Sequence, residues 1–370
     1  MDAVITTDYE SFRIADVPVP TPDEDEVLLE VNRVQLSVTE CWMWQGALAV
    51  SDKLDERIRD GDGRVFGHEF AATVVEAGAD VTGFDVGDRV YAPGKMTCGS
   101  CAYCERGYRI LCKNSETIGF KSASGALAEY FAVPTEPLRA LPDDVSNAEG
   151  AAMQPLADSL QTVYDADVTA GDVVAVIGAG VMGQQCGQIA SHLGADRVYA
   201  VDIAEAKLDV AEDAGLIPIH GLETDPVEEI RDRTDGIGAD VVFTAVGGEQ
   251  TSMTHGSDPR AQAFRMVRSG GTIVPRGILT NDEIAFDSKA MRMKAVDIVH
   301  PRSPRGVSST GPNGDIGTLA PRLVASGRVS VEPFVDYELA GLESFGRAVE
   351  ITTNKGEYDA LGPAQIVVSE

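Results

Sequence analysis

The chain has 370 residues, 44% of them hydrophobic, which is too long for one ordinary core and fits two domains of unequal size. Its 59 acidic residues against 30 basic ones, of which only 8 are Lys, leave a formal charge of −29. Such a surface excludes nucleic acid and anionic membranes as partners, because a polyanion is bound by a basic face. Acidity this diffuse suits a protein kept in solution by molar salt, so a halophilic source is expected. No apolar run approaches the roughly 18 residues of a membrane span, and the first residues lack the regions of a signal peptide, which predicts a cytoplasmic location.

Residues 1–150 read as a β-rich domain of partly open, barrel-like form. Short apolar or alternating runs at 26–32, 70–76 and 88–91 are separated by Gly, Pro and Asp turn signals. Residues 51–63 are charged and without period, which predicts a surface loop or short helix. Next comes the densest motif of the chain: Cys98, Cys101 and Cys104 at a spacing of three, closed by Cys112, so that four of six cysteines fall within 15 residues. Four thiolates can wrap one tetrahedral Zn²⁺ and leave no corner for substrate, which makes this 98–112 lobe a structural zinc site. An iron–sulfur cluster or a pair of disulfides are the other readings of the same spacing.

From about residue 151 to 330 the pattern changes to short apolar strands at 173–177, 197–201, 239–243 and 271–274, with helices predicted at 183–193 and 205–214. Alternating strands and helices predict a doubly wound parallel sheet, so the fold class is α/β. The first of these strands runs into Gly178-Ala-Gly180-Val181-Met182-Gly183. There the first Gly permits the tight turn, the second admits a pyrophosphate to the backbone, and the third lets helix and strand pack closely. The following helix N-terminus offers free N–H groups to phosphate. Asp202 ends the second strand, where a carboxylate accepts hydrogen bonds from ribose hydroxyls and repels a 2′-phosphate, so the expected cofactor is NAD. Residues 331–370 predict one more helix, at 342–352, and a strand, at 364–368, returning to the first domain.

Taken with Gly67-His68-Glu69, Gly87-Asp88-Arg89-Val90 and Gly125-Ala-Leu-Ala-Glu129-Tyr130, these motifs make the chain resemble the zinc-containing medium-chain dehydrogenases along essentially its whole length. The branches it is similar to are the alcohol, polyol, sugar and threonine dehydrogenases. The resemblance implies a GroES-like catalytic domain beside a Rossmann domain, a small-molecule substrate, a homo-oligomer (dimer or tetramer) and hydride transfer between a secondary alcohol and the nicotinamide. It also implies a second, catalytic zinc, whose family ligands come from a Cys-Gly-Thr/Ser-Asp motif, from Gly-His-Glu, and from a Glu, Asp or Cys before the Rossmann domain.

His68 and Glu69 match the middle motif. An ungapped reading places Ser37 where the family has Cys, and Gln154 where it has the third ligand. A hydroxyl and a carboxamide bind Zn²⁺ far more weakly than thiolate and carboxylate. Cys41 and Asp158 each lie four residues on, one helical turn away, so a replacement set of Cys41, His68 and Asp158 with Glu69 is one expectation. A core role for Cys41 and a surface role for Asp158 are the other. Thr39 matches the hydroxyl with which the family begins its proton relay. Trp42, Met43 and Trp44 fall where the family shapes its substrate pocket, although core packing accounts for them equally well. Two other functions are open at this point: a zinc-independent reductase of an activated C=C or carbonyl, and an NAD-binding protein without turnover.

Overall fold

The structure is a computed structural model that describes residues 1–48, 52–60, 63–120, 124–247, 255, 258–277, 288–300 and 315–369. Period-2 alternation in the first part of the chain and buried strands between helices in the second give two compact units.

In the first unit the strand Glu26–Gln35 is the hub. Val27, Leu29, Val31 and Val34 are buried along it, and it pairs antiparallel with Glu69–Ala77, with Tyr130–Pro134 and with the C-terminal strand Gln365–Val367. Arg89–Tyr91, Arg139–Ala140 and Glu338–Ala340 extend the sheet to seven strands, and a hairpin of Asp2–Asp8 with Ser11–Asp16 stands apart from it. The core gathers Leu29, Phe70, Val74 and Phe131, with the rings of Phe70 and Phe131 meeting edge to face at 5.1 Å. In the register across three of these strands Gln365 stands opposite Gln35, and Gln35 opposite Glu69. Directly after the hub strand the chain turns into the helix Val38–Trp44.

The second unit holds six parallel strands, Val173–Ile177, Arg197–Asp202, Ile217–His220, Ala239–Thr244, Val267–Pro275 and Asp297–Ile298. Taken in chain order they lie in the spatial sequence 3-2-1-4-5-6, the doubly wound order of a Rossmann sheet. Val173–Ile177 is buried at every position, as a central parallel strand requires. The helix Val181–His192 follows it at once, after the glycine turn.

The bounds of the two units differ from the sequence reading. The division between units falls after Asp158 rather than near 150, and the helix Ile316–Ala325 belongs to the first unit rather than to the Rossmann unit. Long-range contacts cause this: the Tyr91 hydroxyl donates to the Gly317 carbonyl, and the Arg139 guanidinium pairs with Asp315. Of the charged stretch 51–63, Asp52–Arg59 is a helix that buries Leu54 and Ile58; residues 51, 61 and 62 lie outside the described set. Trp44 is a core residue rather than a pocket wall, packed edge-on against Phe345 at 5.4 Å and Phe12 at 6.4 Å, while Trp42 is half-buried. No helix among the described residues is long and apolar enough to cross a membrane.

Candidate functional site

The glycine turn divides its three glycines by task. Gly178 has φ +97°, and a Cβ there would lie 2.9 Å from the Val246 side chain. At Gly183 a Cβ would come within 1.9 Å of the Gly178 carbonyl oxygen, so only glycine lets the helix sit this close to the turn. A Cβ at Gly180 would meet nothing within 4 Å. Its backbone faces open space at the start of the helix, where Val181 and Met182 present first-turn N–H groups to an anion. Asp202 stands beside this loop: its Oδ2 accepts from the Ala179 N–H at 2.8 Å, and its Oδ1 from Ile203 and Ala204 at 2.8 and 3.1 Å. The turn has the form of a dinucleotide-binding loop with a carboxylate held against it.

In the cysteine lobe, Sγ atoms lie 3.5 Å apart for Cys101 and Cys104, 3.5 Å for Cys98 and Cys112, and 3.9 Å for Cys101 and Cys112. All four sulfurs fall within 4.8 Å of one another. A tetrahedron with Zn–S bonds of 2.3 Å has edges of about 3.8 Å, so the donor set and its spacing fit one zinc with every corner filled by protein.

The third cluster surrounds His68. Phe66 and Gly67 both hold positive φ, 71° and 84°, and this kink turns the chain into the strand Glu69–Ala77. Glu40, buried on the helix Val38–Trp44, fixes the kink: its Oε1 accepts from the Gly67 N–H at 2.9 Å, from the His68 N–H at 3.3 Å and from the His68 Nδ1 at 2.6 Å. With Nδ1 committed to a carboxylate, Nε2 is the ring nitrogen left for chemistry, and it lies 3.9 Å from Glu69 Oε1. Burial pulls the imidazole towards neutrality, but the charge and hydrogen bond of Glu40 prevail and raise its pKa to about 9, with Glu69 and Asp158 adding to the effect. Burial pushes the Glu69 carboxyl up to about 7, against the pull of His68 and of hydrogen bonds from Gln35 and Ser37. Glu69 Oε2 accepts from Gln35 Nε2 at 2.6 Å, Gln35 Oε1 accepts from Gln365 Nε2 at 3.2 Å, and that same amide reaches the Ala148 carbonyl at 2.8 Å.

Family models match both parts of the chain: the alcohol dehydrogenase GroES-like domain over residues 23–143 and the zinc-binding dehydrogenase domain over 181–313. A protein named probable D-xylulose reductase A from Neosartorya fischeri is 31% identical over 333 residues, 87% of this chain and 86% of that one. The chain belongs to the zinc-containing medium-chain dehydrogenases. A sorbitol dehydrogenase from Halalkalibacterium halodurans is 28% identical over 82% of this chain and 85% of its own. The alcohol dehydrogenase TADH from a Thermus species superimposes with a TM-score of 0.80 at 27% identity, covering 100% of both chains.

This medium-chain dehydrogenase departs from the expected second metal site. Among the described residues the cysteine lobe is the one group of three or more metal-type ligands within reach of a single ion. Cys41, His68, Glu69 and Asp158 are not gathered into another. Cys41 is 1% exposed within the apolar core, and burial lifts its thiol well above the ordinary range, so the expectation of a Cys41 ligand is corrected to a core thiol. Asp158 and Gln154 lie half-buried on the helix Met153–Asp165. Ser37 is buried at the head of the helix Val38–Trp44, and Thr39 is half-buried in its first turn. The residues present do not fit a catalytic zinc. Glu40, Gln35 and Gln365 are the site residues that the sequence reading missed. For Glu40 a signal existed, since Ser37-Val-Thr39-Glu40 read without a gap puts Glu40 where the family motif ends in Asp.

Proposed function

We propose that the protein interconverts a secondary alcohol and its ketone, of the polyol, sugar or hydroxy-acid class, with NAD(H) as partner. The observation that carries this reading is the Glu40–His68 pair. It fixes the imidazole tautomer and leaves Nε2, beside Glu69, as the group that handles the proton of a substrate oxygen.

When bound, the nicotinamide supplies or accepts the hydride. The chain's residues do the rest. Gly180 and the first turn at Val181 and Met182 would hold the pyrophosphate, and Asp202 the ribose. For reduction, His68 Nε2–H gives its proton to the carbonyl oxygen as hydride reaches the carbonyl carbon. For oxidation the same nitrogen takes the hydroxyl proton as hydride leaves. Thr39, on the same helix as Glu40, is the hydroxyl that would pass this proton onward. With His68 titrating at about 9, the imidazole is cationic at neutral pH, which favours reduction there and oxidation in alkali.

NAD is favoured over NADP because a 2′-phosphate would face the Asp202 carboxylate. A cytoplasmic location goes with this reading, supported by six cysteines none of which is paired in a disulfide. So does a homo-oligomer, supported by the resemblance alone. A reductase of activated carbonyls or C=C bonds that keeps only the zinc of the cysteine lobe is the second reading, and it shares with the first the loss of metal ligands at Ser37 and Gln154.

The test is turnover on matched panels of polyols, ketoses, hydroxy acids and enones with NADH or NADPH, beside Asp202→Ala. Ketone reduction with NADH, and a roughly tenfold or larger shift towards NADPH in the variant, are expected. Reduction of enones alone would move the second reading to the front, and NADH binding without any turnover would leave a non-catalytic binder.

A further inference from the structure

We infer that this chain keeps one zinc of the two its family likeness implies, the one in the cysteine lobe, and that a hydrogen-bonded side-chain network around His68 has taken the place of the other. A catalytic zinc takes three protein ligands and keeps its remaining position for substrate. Around His68 two possible ligand atoms face each other, Nε2 of His68 and Oε1 of Glu69, at 3.9 Å. Two is one short. The positions that would complete the set carry Ser37, a neutral hydroxyl, and Gln154, a carboxamide. The thiol that could have moved in, Cys41, is sealed in the core among Leu36, Trp44 and their neighbours.

The network itself shows what replaced the ion. Glu40 Oε1 is shared by three donors of Gly67 and His68. Glu69 Oε2 is tied into the amide ladder of Gln35 and Gln365, which sheet register places side by side across three strands. Each carboxylate is therefore held by protein donors at the distance and in the orientation the backbone sets. A substrate oxygen meets His68 Nε2 and Glu69 Oε1 directly, and its proton moves on this network. The inference uses the functional reading above only for that last consequence, since a zinc count is decided whether or not turnover is found.

The experiment is elemental mass spectrometry of the full-length protein, purified without chelator and then equilibrated with zinc and desalted. One zinc per chain is expected, and two would overturn the inference. In the double variant Ser37→Cys, Gln154→Glu, which restores a thiolate and a carboxylate, two zincs per chain are expected. A folded double variant that stays at one would overturn the assignment of the loss to these two donors. Thiol titration of the wild-type protein locates the single ion without any substitution: a strong chelator should expose four further reactive thiols as the zinc leaves. Release of zinc with no change in thiol count would place the ion outside the lobe and overturn the inference.

Discussion

The cysteine lobe and the His68 cluster lie in the same unit, and both are places where the family likeness implies a zinc, yet only one is equipped for it. All four lobe ligands come from one loop of 15 residues, and their sulfurs sit at the corners of a single tetrahedron. Around His68 the side chains come from the hub strand, the helix after it, the next strand, the helix Met153–Asp165 and the C-terminal strand. A local ligand set has nothing else to do and survives as a block. A distributed set belongs to elements fixed by other packing, so two substitutions dismantle the metal site while the sheet register keeps its other members in place. These then become hydrogen-bond partners of one another.

Removing a lobe ligand is the most severe way to probe this contrast. Structural zinc in small peptides contributes on the order of 10 kcal/mol to folding, and the lobe has little apolar core of its own to replace it. Cys104→Ser should lose most of its zinc and open the loop to protease, with new cleavages between residues 98 and 112 read by mass spectrometry. The NAD cradle in the other unit should still bind NADH. A Cys104→Ser protein that resists protease like the parent would mean that the lobe stands without its ion, and the contrast between the two sites would fall.

Less drastic is Glu40→Gln, which keeps the shape and removes the charge. The sign of its pH effect follows from His68, whose pKa is raised by folding to about 9. The stability this pair contributes is fully present below the unfolded value near 6.5 and is lost as pH rises through 9. Between pH 8 and 10 the Glu69 carboxyl, titrating at about 7, is already mostly ionised and adds little. Over that window the parent should therefore lose roughly 1 kcal/mol of unfolding free energy attributable to His68. In Glu40→Gln that loss should be largely absent, and turnover at neutral pH should drop about 10- to 100-fold, as when an imidazole loses its orienting carboxylate. Denaturant unfolding at the two pH values checks the first, and kcat against pH checks the second.

How much of this was legible beforehand follows the same contrast. The four cysteines and the glycine turn are short motifs in which residue type and spacing already contain the chemistry, and the strand–helix alternation around Gly178 gives the doubly wound sheet. Glu40 was within reach of a motif reading, because Ser37-Val-Thr39-Glu40 aligns without a gap to a family motif that ends in Asp. Glutamate there is one methylene longer than the family's aspartate and still reaches His68 Nδ1. For Cys41 helical spacing says which residues share a face but not whether that face turns to the site or to the core, so both readings stayed open until packing placed it in the core. The Gln35–Gln365 contact spans 330 residues and exists only through strand pairing, as does the docking of Ile316–Ala325 through Tyr91 and Arg139. No local pattern contains either of these.

The smallest effects are expected in the amide ladder, and they decide whether the network is a unit or a set of neighbours. Gln35→Leu leaves Glu69 Oε2 buried without its 2.6 Å donor, which should cost about 1–3 kcal/mol and push the Glu69 carboxyl further above its ordinary range. Gln365→Leu removes one donor from Gln35 Oε1 and one from the Ala148 carbonyl, and should cost about 1 kcal/mol. If the three side chains act together, the Gln35→Leu, Gln365→Leu double variant should be less destabilised than the sum of the single ones by at least about 0.5 kcal/mol, since the second loss removes a bond already broken. Strict additivity would mean that Gln365 supports only the backbone at Ala148. Glu69 would then be held by Gln35 and Ser37 without help from Gln365, and its oxygen beside His68 would be the more easily recruited by a metal once Ser37 and Gln154 are replaced by Cys and Glu.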